Sequence, residues 1–234
     1  VPPPQVYARV AGVLYLVVIV GGIFAEFVVR GGVVVTDDPT TTAANILDSE
    51  WLYRLGFASD LMVISCDVGL ALLFFVLLRP VSEALALLAA FFRLTQAAVL
   101  TVIALAHFSA LAILSDLSYL QAYETEQLNA LALALLDVHT YGYDVALIFF
   151  GLSLFLVGYL VYESGYLPRL LGALVMVGSV GYLVDSLTSL LLPRFDEEIA
   201  IVLVPTVIAE VALCLWLIVK GVQRRADAAP ASQD

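Results

Sequence analysis

Long apolar runs, each bounded by a charged or helix-breaking residue, recur along the whole chain. A bilayer core is about 30 Å thick, and a helix rising about 1.5 Å per residue needs roughly 20 apolar residues to cross it. By that measure the runs predict spanning helices over about 6–29, 54–78, 83–115, 140–162, 168–192 and 198–220. Strands of a membrane β-barrel would alternate apolar and polar positions over about ten residues. These runs do not alternate, so the predicted fold class is all-α: a polytopic transmembrane helix bundle of about six spans. Arg30-Gly31-Gly32 ends the first span, Arg79-Pro80 the second and Pro193-Arg194 the fifth, and Ser164-Gly165-Tyr166-Leu167-Pro168 makes the turn between the fourth and fifth.

The two longer loops on one side each predict a short interfacial helix. The first covers about 39–50, with Asp38 as its cap, Pro39 at its first position, and Trp51 and Tyr53 as aromatic anchors. The second covers Leu128 to Val138, with Thr125 as the cap. A helix running from there through the fourth span would exceed the bilayer, so a break is expected at His139-Thr140-Tyr141-Gly142. Residues 1–220 then form a single transmembrane domain and 221–234 a disordered polar tail. The run from Val10 to Val29 is too long for the core of a cleavable signal and is read as the first span.

Composition agrees: 62% of residues are hydrophobic and 13% charged, against about 45–50% and about 25% in soluble domains. The net charge of −11, with Lys220 the single lysine, argues against a nucleic-acid partner, which requires basic surface. Lys and Arg near the span ends set orientation. Arg9, Arg79, Arg169, Lys220, Arg224 and Arg225 fall on the side of the termini, and Arg30, Arg54 and Arg194 on the other. The expected location is the inner (plasma) membrane, multi-pass, with both termini cytoplasmic. Cys66 and Cys214 lie inside spans without pairing or metal spacing and read as buried small residues.

Charges inside a span are costly and mark candidate functional sites. They collect at two depths. The middle layer holds Asp67, Arg93, Gln96 and Glu210. The second and third spans form a hairpin that brings Asp67 and Arg93 to one depth, where an ion pair is the least costly way to bury either. Glu210 then needs a partner of its own: Arg93 again, a bound cation, or a proton. The outer layer holds Glu26, Asp60, His107, Asp144 and Asp185, with His139 at its rim. Arg93, Gln96, Leu100, Ile103 and His107 share one helical face, and Asp60 and Asp67 lie two turns apart on another, so a polar seam runs between the second and third spans. Carboxylates with imidazole suit zinc, manganese or calcium, which makes His107, Asp60 and Asp185 weak candidate ligands; HExxH is absent. Charged groups near the headgroups are also simply hydrated. GxSxG and the phosphate-binding GxxxxGK[ST] are absent, and Ser109, Ser153 and Ser179 read as packing residues. Gly172, Gly178, Ser179 and Gly181 form a small-residue face suited to close helix contact. Tyr141, Tyr143, Tyr159, Tyr162 and Tyr166 read as interfacial belts. A short parallel, Arg9-x-x-Gly12 with Glu26 against Arg169-x-x-Gly172 with Asp185, hints at internal repetition.

The stretches AGVLYLVVIVGGIFAE, SEWLYRLGFASDL, CDVGLALLFFVLLRPV, LALLAAFFRLTQAA, YGYD and SGYLPRLLG together resemble a family of bacterial integral membrane proteins labelled domain of unknown function 4386. The resemblance runs from the first span to the fifth. It implies a single helical membrane domain and brings no activity, substrate or cofactor. The stretches include Glu26, Asp60, Asp67, Arg93, Gln96 and Asp144.

Three readings stand. The first is binding or transport of a small molecule, ion or proton through the polar seam. The second is a non-catalytic subunit or scaffold, alone as a homo-oligomer or with a membrane partner. The third is an intramembrane metal-dependent enzyme. The lipid bilayer is the partner common to all three; cofactor and catalytic residues are not specified by the sequence.

Overall fold

The computed structural model describes residues 4–115, 117–192 and 202–222. Among them the chain is helical with no strand. We number the helices α1 (Pro4–Val33), α2 (Pro39–Asp48), α3 (Glu50–Leu78), α4 (Glu83–Leu114), α5 (Thr125–Ser164), α6 (Arg169–Leu191) and α7 (Leu203–Val219). Five of them (α1, α3, α4, α5 and α6) are long and apolar enough to cross a membrane. Helix α7, with 17 residues, is at the short end of the spanning range of about 17–25.

The long helices form a closed ring. Each packs on the next in chain order, α1 on α3, α3 on α4, α4 on α5, α5 on α6 and α6 on α7, and α7 returns to α1. Helices cannot gain hydrophobic driving force from lipid, so close packing and interhelical hydrogen bonds must hold them together. Every seam has such a bond. Ser59 donates to the Gly21 carbonyl (3.0 Å), Arg93 to Asp67, Ser153 to the Ala89 carbonyl (2.8 Å), Ser189 to Asp144 (2.7 Å), Thr206 to the Gly178 carbonyl (2.6 Å) and the Cys214 thiol to the Gly12 carbonyl (3.4 Å). The small-residue face of α6 works on both sides: Gly172 meets the backbone of α5, Gly178 that of α7, and Gly181 the Thr206 side chain and the Val202 backbone just before α7. The outward faces carry exposed Leu72, Val102, Leu105 and Val177, an apolar belt that places the ring in contact with lipid.

Four local expectations need correction. Helix α5 is continuous over 40 residues, with no break at 139–142. Thr140 bonds back to the Leu136 carbonyl (3.1 Å), and a methyl group at Gly142 would collide with Ile103 of α4. The glycine admits a neighbouring helix and does not interrupt its own. At about 1.5 Å per residue, α5 is about 60 Å long and reaches well past a bilayer core. Its cap is Glu124, not Thr125, in a reciprocal capping box with Gln127. Helix α1 does not stop at Arg30: it runs through Gly31 and Gly32 to Val33, its stretch Phe24–Arg30 widened into a π-helix. Tyr53 is fully buried and no interfacial anchor, whereas Trp51 is exposed. By contrast, Asp38 does cap α2 through the Thr41 N–H (2.9 Å) with Pro39 at the first position. Gly165 takes positive φ in the α5–α6 turn. Helix α2 and the projecting end of α5 enclose a second small core with Val29, Tyr53 and Leu111, separate from the main one. The polar tail from 223 onward, residues 193–201 and Asp116 lie outside the described residues.

Candidate functional site

A cavity of about 390 Å³ lies inside the ring, and each of the six ring helices lines it. Its floor is the middle charge layer, with Asp67, Gln96, Phe150, Tyr182 and Glu210; its mouth is the outer layer, with Glu26, Arg30, Asp60, His139, Asp144 and Asp185. Asp60 and Asp67 on α3 mark the two depths, about 10 Å apart along the helix axis. Between them the walls are apolar, from residues such as Val18, Val63, Ile64, Leu100 and Leu147.

At the floor, Arg93 donates through Nε to Asp67 Oδ1 (2.9 Å) and also through Nη2, and Gln96 donates to Asp67 Oδ2 (3.1 Å). Arg93 and Asp67 are 1% and 0% exposed, so they form a fully desolvated pair. The guanidinium sits among three rings, Tyr15, Phe74 and Phe150, at 5.5, 5.8 and 5.1 Å from their centroids. Such faces attract a cation and substitute for hydration. Glu210 is not drawn into this pair. Tyr182 stands beside it, and its Oε1 has no hydrogen-bond partner among the described residues. Tyr182 in turn packs edge-on against Phe150, with centroids 5.1 Å apart.

At the mouth, Arg30 is turned inward and buried. Its Nε meets Glu26 (2.8 Å), and its two terminal nitrogens meet the two oxygens of Asp60 (2.8 and 3.2 Å). Glu26 and Arg30 both belong to the π-helical stretch of α1, a distortion common at functional sites. Asp144 accepts from Ser189 and, like Asp185, lines the cavity. His107 lies behind the wall. It stacks on Tyr53 with centroids 4.0 Å apart and contacts the Tyr53 carbonyl through Nε2 (3.3 Å), while the Tyr53 hydroxyl bonds the His107 carbonyl (2.8 Å). Ligating atoms of Asp60, His107 and His139 lie within 4.8 Å of one another. His139 therefore stands where Asp185 was expected in a metal set. Both Asp60 oxygens are engaged by Arg30, however, so a cation there would have to displace a guanidinium.

The structure thus brings Asp67, Arg93 and Gln96 together and places Glu210 on the same cavity floor. It places Glu26, Asp60, Asp144 and Asp185 around the mouth and His107 outside it. Sequence reasoning missed Arg30, Tyr182 and the aromatic cage. A signal for Arg30 was present in its spacing four residues after Glu26, which puts the two on one helical face.

A family model described as a domain of unknown function (DUF4386) matches residues 10–221. A relative from Archaeoglobus fulgidus, itself described only as an uncharacterized protein, is 35% identical over 160 residues, covering 68% of this chain and 80% of the relative. No solved structure matches the chain.

Proposed function

The chain belongs to the DUF4386 family, which carries no assigned activity, and from that premise we propose that it binds a small molecule inside the membrane ring, as a receptor or as one state of a transporter. The observation that supports this is the cavity itself: all six ring helices wall it, its size falls in the range of about 300–1,000 Å³ typical of ligand sites, and the charged groups among its described lining residues fall in two layers, at the floor and at the mouth. Native mass spectrometry of the full chain released from mild detergent tests the reading. A discrete small-molecule adduct is expected, and it should vanish in Leu100→Trp, which fills the middle of the cavity. Bare protein for both forms, with no binding in a ligand screen, would refute it.

The distribution of Lys and Arg near the span ends supports an orientation with both termini cytoplasmic, in which the mouth opens outward. A C-terminal reporter that is active outside the cell would reverse the assignment. A scaffold role is favoured by one observation, the hydrogen bond at every helix seam, which would serve rigidity alone. It predicts a stable assembly with a membrane partner and no ligand. The metal-enzyme reading draws on the Asp60, His107 and His139 cluster and is weakened by Arg30, which already supplies positive charge there.

A further inference from the structure

We infer that the ligand is an organic cation, an ammonium carried on an apolar body, and that Glu210 is the carboxylate that holds it. The inference rests on the proposal above that the cavity takes a small molecule, and it names the class. Charge is the first argument. Setting aside Asp144 and Asp185, the described residues at the cavity present four carboxylates, Glu26, Asp60, Asp67 and Glu210, against two guanidiniums, Arg30 and Arg93. Neither guanidinium stands open to the cavity, although Arg93 Nη1, like Glu210 Oε1, has no hydrogen-bond partner among the described residues. Arg30 is bonded to Glu26 and Asp60, and Arg93 is bonded to Asp67 and sits among the rings of Tyr15, Phe74 and Phe150, 1% exposed and off the cavity wall. A cleft of one sign between low-dielectric walls concentrates ions of the other sign.

Glu210 is the second and independent argument. It is 8% exposed and lines the floor. Tyr182 is its neighbour, and Oε1 has no partner among the described residues. A buried carboxylate oxygen left without a donor is costly, and an ammonium N–H in the cavity would satisfy it once the carboxylate turns toward the opening. The surroundings select the kind of cation. Phe150 and Tyr182 line the floor with Glu210 and supply aromatic surface there, and a ring face attracts a soft cation. The wall above is made of aliphatic side chains, which suits a hydrocarbon body and gives a bare metal ion none of the several oxygens it needs.

The test uses the full chain in phosphatidylcholine nanodiscs and three probes with one phenyl body: 2-phenylethylammonium, 2-phenylethanol and 3-phenylpropanoate. Thermal unfolding and equilibrium binding are read for the wild type, Glu210→Gln and Leu100→Trp. The ammonium is expected to bind and stabilise the wild type, to bind about tenfold or more weakly to Glu210→Gln, as loss of a charge-assisted hydrogen bond implies, and not to bind Leu100→Trp. Equal binding of the alcohol or the carboxylate to the wild type overturns the cation class while leaving the cavity reading intact; this comparison needs no variant, so a misfolded Glu210→Gln cannot obscure it. Undiminished ammonium binding by a folded Glu210→Gln overturns the role of Glu210. Failure of all three probes, with no adduct on the purified protein, overturns both the class and the cavity reading.

Discussion

Among the described residues two arginines are buried, and the molecule satisfies them in opposite ways. Arg93, at the cavity floor, has one carboxylate, and its counter-ion Asp67 is equally dry, with side-chain exposures of 1% and 0%. Aromatic rings fill the space that water would occupy. Arg30, at the mouth, has two carboxylates, and one of them, Glu26, keeps 40% of its side chain exposed. The inner pair can exchange neither partner nor solvent, so it behaves as part of the packing. The outer triad can trade a carboxylate for water, so it can rearrange when something enters. The same residue type thus serves as a fixed strut at one depth and an adjustable contact at the other.

The largest effect should come from breaking the inner pair. Asp67→Ala leaves a buried guanidinium unpaired and is expected to cost about 3–5 kcal/mol, seen as a collapse in folded yield or in the unfolding midpoint in detergent. Replacing both partners, Asp67→Leu with Arg93→Met, should recover most of that loss; if the double variant is no better than the single, the pair holds more than packing. Gly142→Val comes next. It drives a side chain into Ile103 behind the mouth and should cost about 1–3 kcal/mol by the same unfolding measurement, without touching either arginine. Asp60→Asn should cost less, about 1 kcal/mol, because Arg30 retains Glu26 and gains water. A penalty as large as that of Asp67→Ala would erase the contrast between the two sites.

The smallest effect lies outside the membrane, at the cap of α2. Hydrogen bonds from the Thr41 hydroxyl and backbone N–H hold the Asp38 carboxyl below its usual range. A group lowered in this way stabilises the fold above its unfolded pKa, and the contribution fades as pH falls through the lowered folded value. Protection factors of the Thr41 and Thr42 amides should therefore fall below about pH 4, the usual range for an aspartate, while those in the ring helices stay unchanged. Equal protection of Thr41 at pH 6 and at strongly acid pH would show that the cap does not depend on ionised Asp38.

Much of this was legible from residues alone. Apolar run lengths placed the ring helices, and counting depth along the α3–α4 hairpin brought Asp67 to Arg93, because antiparallel neighbours fix relative height. What escaped depended on a partner distant in sequence. Gly142 looks like a break until Ile103 fills the space beside it. Arg30 looks like the end of a span until Asp60 draws it inward. Tyr53 has the address of a membrane-belt aromatic, yet His107 takes its ring. Each of these residues is locally ambiguous, and a neighbour on another helix decides.

The closed ring also bears on how the protein is made. Of its six helices, α7 emerges last from the ribosome, and it is the one that seals against α1, the first to emerge. Until then the five earlier helices enclose an open trough whose charged floor faces lipid or the insertion machinery. The keystone helix also delivers Glu210. Closure of the bundle and completion of the candidate site are therefore one event, and a nascent chain stalled before α7 has neither.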